Sequence, residues 1–371
     1  MRIALIGPLN PFRGGIAHSN EMLLRNLSKT NEVDAISFRR LYPKILYPGK
    51  FQAEGKNNAG ILDSISPLNW LGVAKKINSK KPETIIFQWW TTFLFPPYFF
   101  LSFLLKGKKA AICQNVFPHE EGLLKKITGF FHSILTKVFL SRMDVLVAMS
   151  QSDKKMLERL FPKKKVTLYL EPMYELEGIS GAKFSRESAK NELGVTGRNV
   201  LLFFGFVREY KGLRYLVEAM PEIVKKSDAK LFIVGEFWEP RQKYEELIHN
   251  LGLGNNVHIV DRYVGNDEVP KFFLAADLLV LPYTAISESG VIRMAFNFNT
   301  PILSTNVGGN PDHIEDGVNG FLVEPKSASQ ISERTNEFFS KKLFKKMALG
   351  MQAKRKELEW SKGKEKAVLG I

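Results

Sequence analysis

"SESGVIRMAFNFNTPILSTNVGG", Ser287 to Gly309, follows the apolar run "DLLVLPY", and its reading decides the fold. The preceding run has the length of one buried strand. After Ser-Glu-Ser-Gly the apolar residues recur at helical spacing, and beyond Pro301 comes a second short run, "PILST". Strand, helix, strand in that order is the unit of a parallel sheet. Ser289, Gly290 and Val291 fall where the helix opens. The first N–H groups of a helix have no partner within it, so they suit an anion. Gly290 has no side chain to hold a ligand away from the backbone.

The same alternation runs through the chain. In the first half the strands are expected in "RIALIG", "VDAISF", "TIIFQW", "AAICQN", "DVLVAM" and "VTLYL". In the second they are expected in "VLLFFGFV", "AKLFIVG", "NVHIVD", "DLLVLPY", "PILST" and "GFLVEP". Two doubly wound α/β domains follow, residues 1–172 and 173–371, with the boundary in the turn-rich "EPMYELEGISG". The Lys-rich segment from about Lys341 reads as helix, and a return of the C-terminal helix to the first domain is expected. A chain of 371 residues, 44% of them apolar, can bury two cores.

Composition removes several classes of function. The single cysteine, Cys113, allows no internal disulfide framework and no zinc site built on several thiolates. "MRIALIGPLN" lacks the long apolar region of a signal peptide, so a cytoplasmic location is expected. The net charge of +15 is uneven: Met1 to Pro172 holds 26 Lys and Arg against 12 Asp and Glu, the remainder 27 against 26. So basic a first half suits an anionic membrane surface or a polyanion, although a basic surface without a partner reads the same way.

Two apolar stretches bear on membranes. "TIIFQWWTTFLFPPYFFLSFLL", Thr84 to Leu105, has the length to span a bilayer, but Pro96-Pro97 would stop a single spanning helix. A buried strand followed by aromatic surface is expected instead. "LLKKITGFFHSILTKVFLSRMD", Leu123 to Asp144, is amphipathic, and its apolar face suits either a core or a membrane interface. The aromatic run is too apolar for a base-stacking platform, so no nucleic-acid partner is expected.

Two further loops can meet anions. Arg208 and Lys211 follow the strand "VLLFFGFV" at the carboxyl edge where open α/β sheets bind ligands, and they can clamp a diphosphate from a solvent-filled site. Gly14-Gly15 opens the helix after "RIALIG". A cleft between the domains could then hold one phosphorylated ligand. G-x-G-x-x-G after the first strand, G-x-x-x-x-G-K-[ST] and paired Asp-x-Asp are all missing from the sequence, which argues against a dinucleotide oxidoreductase, a P-loop ATPase and a metal-held diphosphate.

"FFGFVREYKGLRYLVEAM", "LFIVGE", "VHIVDRYVGNDEVPKFFLAADLLVLPY" and "NTPILSTNVGGNPDHIEDGVNGFLVEP" together resemble the C-terminal domain of retaining family-four glycosyltransferases of GT-B fold. "GPLNPFRGGIAHSNEMLLRNL" and "CQNVFPHE" resemble their N-terminal domain. The resemblance implies two Rossmann-like domains facing a central cleft, with a nucleoside diphosphate sugar on the second and a glycan or lipid-linked acceptor on the first. It implies no cofactor, and departure of the diphosphate without a metal. Arg208 and Lys211 match the basic pair that holds the diphosphate, and Gly15 the glycine loop near the reaction centre.

The chain departs from the family at two places. The family's two glutamates, separated by seven residues, fall on Ile286 and Met294, leaving Glu288 as the nearby carboxylate. Gln114 stands where a sugar-contacting His is common. His119 and Glu120, in "FPHE", supply polar groups close by, or cap a loop. His119, Glu120 and Glu288 are therefore the candidate catalytic side chains. Gly14, Gly15, Arg208, Lys211, Glu288, Ser289, Gly290 and Val291 are the donor-binding candidates. The expected activity is sugar transfer in cell-envelope polysaccharide or glycolipid synthesis at the inner membrane face. A silent membrane or polyanion binder on the same scaffold stays open, as does a GT-B sugar-nucleotide epimerase or phosphorylase.

Overall fold

The computed structural model describes residues 1–12, 14–43, 60–116, 123–173 and 185–371. These divide into two compact units, Met1–Pro172 with Trp360–Ile371, and Met173–Glu359. His119 and Glu120 lie outside the described residues.

The first unit contains β1 (Arg2–Ile6), β2 (Glu32–Ile36), β3 (Phe38–Arg40), β4 (Leu62–Asp63), β5 (Thr84–Trp89), β6 (Lys108–Cys113), β7 (Val145–Ala148) and β8 (Lys165–Leu168). Six of them form one parallel sheet in the order β2-β1-β5-β6-β7-β8. Strands β1 and β5 pair with Ala4 opposite Ile85, and these strands are near-continuous apolar runs because helices cover both faces. The pair β3 and β4 was not expected from the sequence: three residues and two are too few to show an alternation.

Thr84 to Leu105 is divided. After β5, Thr92–Leu94 makes a single tight turn, and Phe95–Leu104 forms a separate helix with proline at its first positions. Pro96-Pro97 starts that helix, where the missing N–H groups cost nothing. Among the described residues, no helix is long and apolar enough to cross a membrane. The last helix, Lys362–Leu369, buries Val368 and Leu369 in the first unit's core, and Lys108 and Lys165 both donate to the Gly370 carbonyl.

The second unit contains β9 (Asn199–Phe204), β10 (Ala229–Val234), β11 (Val257–Val260), β12 (Leu278–Leu281), β13 (Ile302–Thr305) and β14 (Gly320–Val323). They run parallel in the order β11-β10-β9-β12-β13-β14. The order reverses between β9 and β12, and the loops after those two strands form the edge where such sheets hold ligands. In the first unit the reversal lies between β1 and β5.

Candidate functional site

Both loops at the reversal point of the second unit carry the residues singled out from the sequence. Strand β9 is buried along most of its length and is followed by Gly205, with φ +104. A β-carbon there would lie 2.9 Å from Lys211 Nζ and 3.6 Å from Val291 Cγ2. Gly205 thus keeps open the space in which Lys211 and the start of the helix Gly290–Phe298 come together.

Arg208 is extended and half-buried, with its guanidinium 4.1 Å from the centre of the Trp238 ring. Lys211 is not in a solvent-filled position, as expected from the sequence, but buried at 9% exposure, its Nζ 5.4 Å from the centre of the Tyr283 ring. Among the described residues no carboxylate pairs with either cation. Burial, and secondarily the Arg208 charge, lower the Lys211 amine to about 8. A buried ammonium beside a second cation is a strained arrangement unless an anion completes it.

The anion has a second set of donors. Ser289 stands at the N-cap of Gly290–Phe298, yet its side chain makes no capping bond; its hydroxyl lies 3.4 Å from that of Tyr283. The N–H groups of Gly290 and Val291 therefore have no capping side chain, at the positive end of the helix dipole.

Glu288 stands differently. Its side chain, 4% exposed, turns inward, and Oε1 accepts from Arg293 Nη1 at 2.7 Å and from His313 Nε2 at 2.8 Å. Burial pushes the carboxyl up, but His313 and Arg293 outweigh it and hold it below the usual carboxylate range. Neither a solvated helix-start glutamate nor an open ribose acceptor describes it: Glu288 pins its loop to the following helix and to the turn holding His313. Met294 packs partly buried against the apolar core, as does Ile286. The glycine pair closing the opening sequence stitches the same loop. Gly308 has φ +56, and a β-carbon on it would lie 1.6 Å from the Ile286 carbonyl oxygen, while Gly309 N–H donates to Ser287 at 2.9 Å.

Sequence reasoning missed Arg293, His313, Tyr283 and Trp238. The one available signal was an arginine in the otherwise apolar "VIRMAF", five residues from Glu288. In the first unit, Gly14 caps and Gly15 opens the helix Gly15–Leu27 at the carboxyl edge of β1. Gln114, just past β6, is buried in a polar cluster with Ser19, Gln88 and Glu171. Among the described residues no three His, Cys, Asp or Glu side chains are grouped to hold a metal ion.

Residues 185–356 match the family model described as glycosyl transferases group 1. The chain is 28% identical over 165 residues to Spore coat protein SA of Bacillus subtilis, covering 42% of this chain and 43% of that protein. It is 31% identical over 153 residues to the lipopolysaccharide glucosyltransferase WaaG of Escherichia coli, 40% of each. The match spans less than half the length of either relative. Among solved structures, sucrose-phosphate synthase from Thermosynechococcus elongatus superposes with TM-score 0.75 at 16% identity, covering 98% of this chain and 96% of that one. Anabaena HepE in complex with UDP-glucose gives 0.71 at 15%, covering 99% and 98%. Residues 185–356 are thus similar to the group 1 glycosyl transferases, and the fold is GT-B.

Proposed function

We propose that the protein is a retaining glycosyltransferase that moves a sugar from a nucleoside diphosphate sugar to a membrane-associated glycan or glycolipid acceptor. The observation that carries the reading is Lys211: a buried ammonium, unpaired among the described residues, beside Arg208 and the uncapped amides of Gly290 and Val291, at the ligand-binding edge of a parallel sheet. That set of groups fits a diphosphate. Lys211 and Arg208 stabilise its negative charge as the glycosidic bond breaks, and the amides add preorganised dipoles. The reading calls on no metal and no cofactor. Transfer follows a front-side displacement in which the departing phosphate helps remove the acceptor proton, so no side chain is assigned as general base. The UDP-glucose complex of HepE supports a nucleotide-sugar donor, and the WaaG relative a role in envelope glycan synthesis.

Support for a membrane-side acceptor comes from the first unit. Phe130, Phe131, Ile134 and Val138 lie on one exposed face of the helix Leu123–Ser141, and Phe103 is exposed with Arg142 over its ring. In a chain segment carrying an excess of 14 positive charges this face suits the inner surface of an anionic membrane. A thermal-shift panel of UDP, GDP, ADP and their sugars tests the donor assignment, because a ligand bound only by the folded protein raises its melting temperature. Stabilisation by one nucleotide series, lost in Lys211→Met, is expected. Donor hydrolysis without acceptor separates an enzyme from a silent binder on the same scaffold.

A further inference from the structure

Arg208 owes its place to a short extension of the second unit's sheet. Beyond β9 and β10 the chain pairs once more in parallel, Val207 opposite Phe237. Val207 N–H donates to the Glu236 carbonyl at 2.9 Å, and Trp238 N–H to the Val207 carbonyl at 3.0 Å. That register sets Arg208 beside Trp238, with Phe206, two residues back on the same face, diagonally across from the ring. The Arg208 guanidinium carbon sits 4.1 Å from the centre of the Trp238 ring, within reach of a cation–π contact, and the Phe206 and Trp238 ring centres are 4.5 Å apart. The loop carrying Trp238 is also fixed from the side of β11, where Phe237 N–H donates to Asp261 Oδ1 at 3.0 Å.

An arginine held by a carboxylate has its charge offset and its N–H donors taken. An aromatic face holds the guanidinium and leaves both for a ligand. No acceptor among the described residues meets the Arg208 guanidinium, so its donors stay open while the ring fixes its position. A long side chain left loose would lose rotamer freedom on closing round an anion, and prior placement removes that cost. We propose that Trp238, braced by Phe206, is the positioning residue that holds Arg208 at the diphosphate site. The proposal rests on the glycosyltransferase reading above. A ring that only glued two loops together, or one that stacked on a nucleobase, would act without regard to Arg208.

The test uses the full chain and the nucleoside diphosphate selected by the thermal-shift panel. Titration calorimetry should find Trp238→Leu about 10-fold weaker than the wild type, and Trp238→Phe, which keeps a ring face, within about 3-fold of it. In an Arg208→Gln background the same Trp238→Leu change should cost less than about 2-fold, since the ring then has no charge to hold. The empty protein supplies a readout that loop packing would not move. Burial first, and then the Arg208 charge, lower the Lys211 amine to about 8. Once Trp238→Leu releases Arg208, that amine should titrate higher, by the same amount as in Arg208→Gln, whereas Trp238→Phe should keep the wild-type value; NMR of the lysine ε-carbon follows it. Should Trp238→Leu not fold, Trp238→Met makes the same measurements. Wild-type affinity in Trp238→Leu overturns the proposal, and so does a Lys211 amine that titrates alike in that variant and the wild type. An undiminished loss in the Arg208→Gln background means that the ring meets the ligand itself, and overturns the positioning role. Absence of any nucleoside diphosphate binding by the wild type overturns the glycosyltransferase reading, and the role of Trp238 falls with it.

Discussion

The two units share a sheet architecture and differ in where they keep their charge. The first is strongly basic, and its C-terminal addition, Trp360–Ile371, brings three further lysines and one glutamate. Yet the edge of its sheet buries neutral amides around the carboxylate of Glu171. The second unit is close to neutral by sequence, yet it buries Lys211, which has no counter-ion among the described residues. Net charge thus reports on the surface a unit offers, whereas the chemistry of a site follows from which charges are taken out of water. An exposed lysine is screened and cheap; a buried one costs several kcal/mol unless an anion meets it.

The comparison is broken most severely by disturbing the second unit's compensated charges. Glu288, Arg293 and His313 are buried together, so Arg293→Met leaves a buried carboxylate with one partner fewer and should cost about 3 to 5 kcal/mol of stability. Denaturant unfolding measures it. A loss below about 1 kcal/mol would mean that the loop is held by Gly308 and Gly309 alone. The Glu288 carboxyl is held below its ordinary 4.5, so its contribution is present above that pH and is lost as the pH falls through the lowered value. Acid unfolding of the wild type should show this loss and Glu288→Gln should not.

Lys211 is the uncompensated counterpart, and its removal should separate stability from function. Lys211→Met should weaken nucleotide binding by about 2 to 4 kcal/mol while stabilising the empty protein by about 1 to 3 kcal/mol. The amine falls from 10.5 in the unfolded chain to about 8 in the fold. The cost of burying its charge is therefore present in full below about pH 8 and is relieved as the pH rises towards 10.5. Nucleotide affinity should run the opposite way, highest below pH 8 and falling above it, since a diphosphate needs the charged form. Titration calorimetry across that range, with melting curves of the empty protein, measures both. Stability and affinity changing together would show that Lys211 is held for packing.

Much of this was legible in the sequence. Each of the twelve strands of the two large sheets overlaps one of the runs read as strands, four of them starting one or two residues earlier, because the apolar pattern is imposed residue by residue along the chain. The loop positions of Arg208, Lys211 and Ser289 followed from the strand ends. The partners did not. Glu288 and His313 are 25 residues apart and Ser19 and Glu171 are 152 apart, distances over which no periodicity carries information. Burial was equally hidden: "REYKG" looks solvated until the Tyr283 ring and Gly205 are seen to close over the lysine.

The smallest effect concerns the first unit's surface. Its charge predicts binding to anionic vesicles and release by salt, since attraction between exposed charges fades beyond a Debye length of about 8 Å at physiological ionic strength. Phe130 and Phe131, at 64% and 62% exposure, add an apolar contribution that salt does not screen. Partial insertion of each ring is worth about 1 kcal/mol, a fraction of full burial of such a side chain. The double variant Phe130→Ser, Phe131→Ser keeps every charge, so at low salt it should still prefer phosphatidylserine vesicles over phosphatidylcholine. At high salt, where the charges are screened, it should bind about 10-fold or more weakly than the wild type. Sedimentation with vesicles of the two compositions reads both quantities. If the double variant matches the wild type at every salt concentration, the exposed rings do not reach the bilayer, and the contrast between the units reduces to charge alone.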